Sequence, residues 1–330
     1  MPKSGPDRAA SIAQGLALAL MVAMIAAGLL LLNGYWLRAL SEVFLVATIA
    51  QSINIIAGFT GYPAFGQVVF FGLGNYATAI AMTAGNASFA AGLLLGSIVC
   101  AIFALVCGLP LFRLKGHYFA IATLGLNEAV KAVVTNWTTL TKGGAGISLP
   151  LPPGDSLGNA RVFCAAYAVL MLGSVGVVWL FGRTRFGYAC RAIRADEDAA
   201  AASGVNPVFY KTAAWMVSAV IAGLAGGLYA YWQSYIAPPV AFDMDISVKG
   251  FVIMLLGGPG SVFGPVVAAF ALQLVSTLAW DYLLNWHLGL MGIMIMVAVL
   301  LPSERNVWTV LLSPARRIIL RIPVPGHGRP

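Results

Sequence analysis

Charge is what this sequence has least of. Nineteen Lys and Arg and eleven Asp and Glu make up 9% of 330 residues, while 60% are hydrophobic. A soluble domain carries about 25% charged residues, so a water-covered surface is excluded for most of the chain. Metal-site patterns are missing too: His117, His287 and His327 lie far apart and none has a neighbour at ligand spacing. The four cysteines, Cys100, Cys107, Cys164 and Cys190, form no CxxC pair; the first three fall in apolar runs and are expected in the core. No Gly-Lys pair occurs, so no P-loop can cradle a nucleotide here. No Ser/His/Asp pattern suggests hydrolysis. The net charge of +8 comes without any basic block interleaved with aromatics, so nucleic-acid binding is not indicated.

What is present is a series of apolar runs, each long enough to cross about 30 Å of hydrocarbon. They do not alternate as barrel strands do. An all-α polytopic membrane protein is therefore expected, one bundle of about ten transmembrane helices, some short or broken. Crossings are placed near 12–32, 40–58, 64–84, 88–111, 117–136, 161–182, 212–236, 247–257, 262–279 and 287–302. The first is longer than the apolar core of a signal peptide and is read as a retained helix. No soluble domain fits between the spans, so residues 1–330 form a single transmembrane domain with a tail at 303–330. With both termini in the cytosol, the inner segments hold Lys3, Arg8, Arg113, Lys115, Arg183, Arg185, Arg191, Arg194, Lys211, Arg305, Arg316, Arg317, Arg321 and Arg329. That bias favours this orientation over its inverse.

Two glycine-rich stretches interrupt the runs. Gly58, Gly61 and Gly66 punctuate residues 58–72, and Gly257, Gly258, Gly260 and Gly264 punctuate "LLGGPGSVFGP". The segment 247–257 spans only about 16 Å as helix; it is either a half-helix or a re-entrant element. Breaks at membrane depth are tolerated only where protein or a water-filled cavity satisfies the freed backbone. Phe65-Gly66-Gln67-Val68-Val69 and Phe263-Gly264-Pro265-Val266-Val267 follow the two breaks. Descent from a repeat and chance both account for so short a match.

The remaining charge concentrates at 183–211. Asp196, Glu197 and Asp198 suit a helix N-terminus. Ala199–Ala202 favour helix. Gly204 suits a left-handed cap, and Asn206-Pro207 is expected to stop the helix. A short exposed rod of about two turns follows. By itself it is either a solvated loop or a slim surface for another protein.

The order Asp198-Ala199-Ala200-x-x-x-Gly204 resembles the "EAA" cytoplasmic loop of ABC importer permeases, with Asp for the usual Glu. The wider string "FGYACRAIRADEDAAAASGVNPVFYK" resembles that loop in LivM-type permease subunits of branched-chain amino acid importers. Three further stretches agree in order. They are "INIIAGFTGYPAFGQVVFFGLGNYATA", where Phe59 and Tyr62-Pro63 depart from the family pattern, "GHYFAIATLGLNEAVKAVVTNWTTLTKGGAGI" and "GGPGSVFGPVVAA". The resemblance covers roughly residues 50–275. It implies a bacterial plasma-membrane permease that does no catalysis itself. Arg191, Arg194, Glu197, Asp198, Ala199, Ala200 and Gly204 would form the loop that docks on an ATPase. The implied partners are two ATPase subunits holding ATP and Mg, a second homologous permease and an external substrate-binding protein. No cofactor is expected in this chain.

Ionisable and amide groups within spans mark a candidate path: Asn54, Asn127, Glu128 and Lys131. Glu128 and Lys131, three apart, either line a route for a zwitterion or form a self-contained pair. The outer loop 137–160 is the candidate docking surface for the binding protein. A permease for urea or short amides would share the motifs. A secondary transporter with Glu128 as proton site is the rival from another class; an integral-membrane enzyme has no motif behind it.

Overall fold

A computed structural model describes residues 32–282, Lys115 excepted, and the isolated positions 21, 22, 28 and 296. The expected crossings 12–32 and 287–302 and the tail 303–330 lie outside the described residues, apart from those positions.

Helix α1 (Gly34–Ile53) continues through a π-turn (Asn54–Gly58). A 3-10 turn at Phe65–Gln67 leads into α2 (Val68–Thr83); α3 (Phe89–Leu111) and α4 (His117–Asn136) follow. After the short α5 (Thr138–Thr141) and β1 (Ile147–Ser148) come α6 (Ser156–Arg183), α7 (Arg185–Ala195), α8 (Glu197–Ala202) and α9 (Pro207–Gln233). The described chain closes with β2 (Tyr235–Ile236), α10 (Pro238–Ala241), α11 (Met244–Gly257) and α12 (Gly264–Tyr282). Among the described residues, five stretches are long and apolar enough to cross a membrane: Gly34–Gly58, Phe65–Thr83, Phe89–Leu111, Ser156–Arg183 and Pro207–Gln233. The fold is an all-α membrane bundle. Helix α4 has the length to cross but falls short of the apolarity of those five. At 14 residues, α11 is longer than its apolar run and rises about 21 Å.

Helices α6 and α9 begin five residues ahead of their expected starts, 161 and 212, because their polar ends are still helical. Asn206 does not simply stop the preceding helix, as expected. Its side chain accepts from the Phe209 N–H at 3.2 Å and opens α9, with Pro207 in the first turn. Proline fits there because the first turn's N–H groups have no helical partner.

Helix α9 packs against α2 through backbone contact and against α3 by glycines set on side chains, as Gly223 on Cys100. A Cβ on Gly74 would come within 2.1 Å of the Gly223 carbonyl oxygen, and one on Gly226 within 2.0 Å of the Phe71 oxygen. Small residues are the usual means of close helix approach where lipid leaves no hydrophobic drive between helices. Around this seam Phe44, Phe70, Phe71, Tyr167 and Trp215 are buried. Cys100 and Cys164 are buried as expected, Cys107 is only half-buried, and Cys190, outside the apolar runs, is buried too, all as free thiols. One feature departs from the all-helical expectation. Ile147 pairs with Ile236 and Ser148 with Tyr235 in a two-residue antiparallel ladder, which ties the segment after α5 to the end of α9.

Candidate functional site: a charged rod tied to two broken helices

The segment 183–211, expected as a loop with one small helix, holds two. Thr184 caps α7, accepting from the Gly187 N–H at 3.4 Å. Phe186, Cys190 and Ile193, at helical spacing, turn one face of α7 inward; Cys190 and Ile193 are buried. Asp196 ends α7 and begins α8, its Oδ1 accepting from the Ala199 N–H at 2.9 Å. Glu197 and Asp198 fill the first turn of α8. Beyond Ala202, the Gly204 N–H donates to the Ala201 oxygen at 3.0 Å and the Val205 N–H to the Ala200 oxygen at 3.1 Å. Gly204 has φ +87°, a conformation that costs a side-chain-bearing residue about 1–2 kcal/mol. Ala200 points inward and is buried; Asp198, Ala199, Ala201 and Ala202 are exposed.

Lys211, Tyr62, Arg194 and Arg191 fasten α8 and the adjoining α7 to the bundle. Lys211, in the first turns of α9, is fully buried, yet its Nζ lies 2.7 Å from Glu197 Oε1. The same ammonium donates to the Tyr62 hydroxyl at 3.0 Å and to the Phe112 oxygen at 3.4 Å, and lies 4.2 Å from the centre of the Tyr62 ring. Tyr62 in turn donates to Glu197 Oε2. Burial first, then the bond and charge of Glu197, hold the Tyr62 hydroxyl well above the usual phenol range, so it stays a donor. Charge-assisted bonds of this kind are roughly twice as strong as neutral ones. Arg194 donates to the Gly58 carbonyl oxygen and packs on Gly61, where a Cβ would come within 3.0 Å of its Cγ. Arg191 donates to the Gly182 oxygen at 2.8 Å and lies 5.3 Å from the Phe59 ring centre.

The rod thus meets the first glycine-rich break along Gly58, Phe59, Gly61 and Tyr62, and the first break meets the second. Asn54 donates to the Ser261 oxygen at 2.8 Å and accepts from the Gly260 N–H at 2.7 Å; Gln51 donates to the Val262 oxygen at 2.6 Å. A Cβ on Gly58 would sit 2.7 Å from the Gly260 nitrogen, and one on Gly257 2.3 Å from the Gly264 carbonyl carbon, so both closures require bare backbone. Amide side chains supply the partners that unwound backbone needs at membrane depth. Gly258 lies in the turn after α11. Gly66 backs onto Thr123 of α4. The two similar strings at 65–69 and 263–267 each open a helix just past a break.

Of the four residues picked for a path, three are linked, Asn127 Nδ2 donating to Glu128 Oε1 at 3.4 Å and Glu128 pairing with Lys131, while Asn54 lies apart. Asn54 is buried between the breaks. Asn127, also buried, donates to the Phe242 oxygen at 3.2 Å, and its own Oδ1 has no partner. Glu128 and Lys131 lie on the bare side of α4, 3.8 Å apart, with Glu128 57% and Lys131 32% exposed. Tyr62 and Lys211 were not singled out by the sequence. The signal for Tyr62 was its departure from the family's usual turn; Lys211 counted only as one more basic residue near a span.

Residues 35–299 match the family described as branched-chain amino acid transport system / permease component. This chain belongs to that family. It is 30% identical over 277 residues to the high-affinity branched-chain amino acid transport system permease protein LivM of Salmonella typhimurium, covering 76% of this chain and 65% of the relative. To LivM of Escherichia coli K12 it is 28% identical over 293 residues, 81% of this chain and 68% of the relative. It is also 26% identical over 176 residues to LivH of Escherichia coli K12, half of this chain and 56% of that permease. The chain thus spans about two thirds of the length of the LivM relatives. No solved structure matches it.

Proposed function

We propose that this chain is one membrane-spanning half of an ABC importer passing branched-chain amino acids. On this reading an external binding protein delivers the substrate, and two separate ATPase subunits press on α8 from the cytosol. The observation that carries it is the setting of α8: an exposed acid-alanine face on one side, and on the other Glu197 held by the buried Lys211 of α9, with Arg194 of the adjoining α7 on the first broken helix, which in turn meets the second. A rod that only held topology would need no such attachment. Likeness to both LivM and LivH supports a pair of homologous permeases. Outer loop 137–160 is the proposed docking surface for the binding protein. An ATPase can bias the bundle only through contacts that differ between its two states. Arg194 and Glu197 are in position to carry that bias, because their partners Gly58 and Tyr62 flank the turn between α1 and α2.

The bare face of α4 has a place in this scheme. Charged groups within a span face protein or water, since lipid contact is costly. Glu128 and Lys131 therefore face the second permease and line the route between the two halves. The test is uptake by a reconstituted complex. Leucine-type uptake should need ATP and the binding protein. Uptake driven by a proton gradient, with no ATPase present, would overturn the proposal.

A further inference from the structure

At the end of the bundle opposite α8, two adjoining cavities of about 480 and 620 Å³ share Arg38, Glu42, Trp232 and Gln233. The larger adds Tyr229, Lys249 and Gln273. No residue of α4 lines either one, so they lie apart from the route just proposed. Arg38 and Glu42, four apart on α1, place opposite charges one turn from each other. Gln273 donates to Glu42 Oε2 at 3.4 Å. Among the described residues no hydrogen bond engages Arg38 or Lys249, and the Lys249 charge acts on the Glu42 carboxylate. Tyr35 and Trp36, exposed by 61% and 51%, lie just before Arg38 in sequence, and aromatics are enriched at a membrane–water boundary. Both volumes fall within the range of about 300–1,000 Å³ typical of small-molecule pockets.

We propose that this cavity binds a zwitterion, its ammonium on Glu42 and its anionic oxygens on Arg38 and Lys249. A guanidinium suits phosphate or carboxylate because it offers two parallel donors. Two sources share this chemistry: an aminophospholipid headgroup entering sideways from the leaflet, and a free amino acid entering from water. The inference rests on the membrane placement of the chain and not on ATP-driven import.

The experiment uses the purified full chain in nanodiscs of equal phosphatidylethanolamine and phosphatidylglycerol. Native mass spectrometry reads which lipid is retained, and equilibrium dialysis reads binding of labelled leucine. Retention of phosphatidylethanolamine over phosphatidylglycerol, reduced at least about tenfold in Glu42→Gln and in Arg38→Gln, supports the lipid source. Leucine binding reduced by the same variants supports the free amino acid. Lys249→Gln, on a different helix, serves as a third variant should Arg38→Gln fail to fold. Equal retention of both lipids with no leucine binding overturns the site, as does binding that the variants leave intact. No ATPase or binding protein takes part, so either result leaves the importer reading to its own test.

Discussion

Glu197→Ala should harm this protein more than Lys211→Met, although the two residues form one ion pair. Removing Glu197 takes the carboxylate at 2.7 Å away from an ammonium that has no exposure to water. Breaking a buried pair in this way costs about 3–5 kcal/mol. The Tyr62 hydroxyl, the Phe112 oxygen and the Tyr62 ring still hold the charge, which puts the cost at the low end, about 3 kcal/mol. Removing Lys211 is milder. Glu197 keeps the Tyr62 hydroxyl and, at 21% exposure, reaches water; the loss is about 1–2 kcal/mol. In the double variant no charge is stranded, so its stability should match Lys211→Met and exceed Glu197→Ala by about 1–2 kcal/mol. Urea unfolding of the detergent-purified chain reads all three. If Glu197→Ala is as stable as Lys211→Met, or if the double variant shows the plain sum of the two losses, the buried ammonium is not held as described.

Gly204→Pro removes the N–H that bonds Ala201 and cannot adopt φ +87°; it should abolish ATP-dependent uptake while membrane insertion, read by protease protection, persists. Glu128→Gln, on the exposed face of α4, should slow uptake with no change in unfolding midpoint; unchanged uptake together with unchanged complex assembly would remove it from the route. Burial pushes the Cys190 thiol up to about 12, so at pH 8 maleimide should label it slowly in the folded protein and rapidly in SDS. Its folded pKa is raised, so its contribution to stability is full below about pH 8.5 and falls away as pH rises towards 12, a slope that Cys190→Ala should flatten.

The long apolar runs made α1, α2, α3, α6 and α9 legible, because burial in lipid and burial in protein demand the same residues. The ends of α8 were legible for a different reason: Asp196 and Gly204 act locally, on their own backbone. Helix α7 was not legible although Thr184 caps it and Phe186, Cys190 and Ile193 share a face, because three arginines in eleven residues look like a solvated loop. The fastening of α8 could not be read at all. Lys211 and Tyr62 lie 149 positions apart, and nothing local distinguishes a buried, bonded lysine from a solvated one. Asn54 illustrates the same limit. An amide in an apolar run shows that it needs partners, and only the fold shows that they are Gly260 and Ser261.

Helix α9 starts just past the rod and ends at the two-residue ladder on the opposite side. At 27 residues it is a stiff beam of about 40 Å. A tilt of about 5° about its N-terminal end would carry its far tip some 3.5 Å sideways over that length, by the same rise per residue. Because β2 is stitched to β1, the strip before α6 would travel with that tip, so motion imposed at one mouth of the bundle is displayed at the other without any need for the intervening helices to unfold.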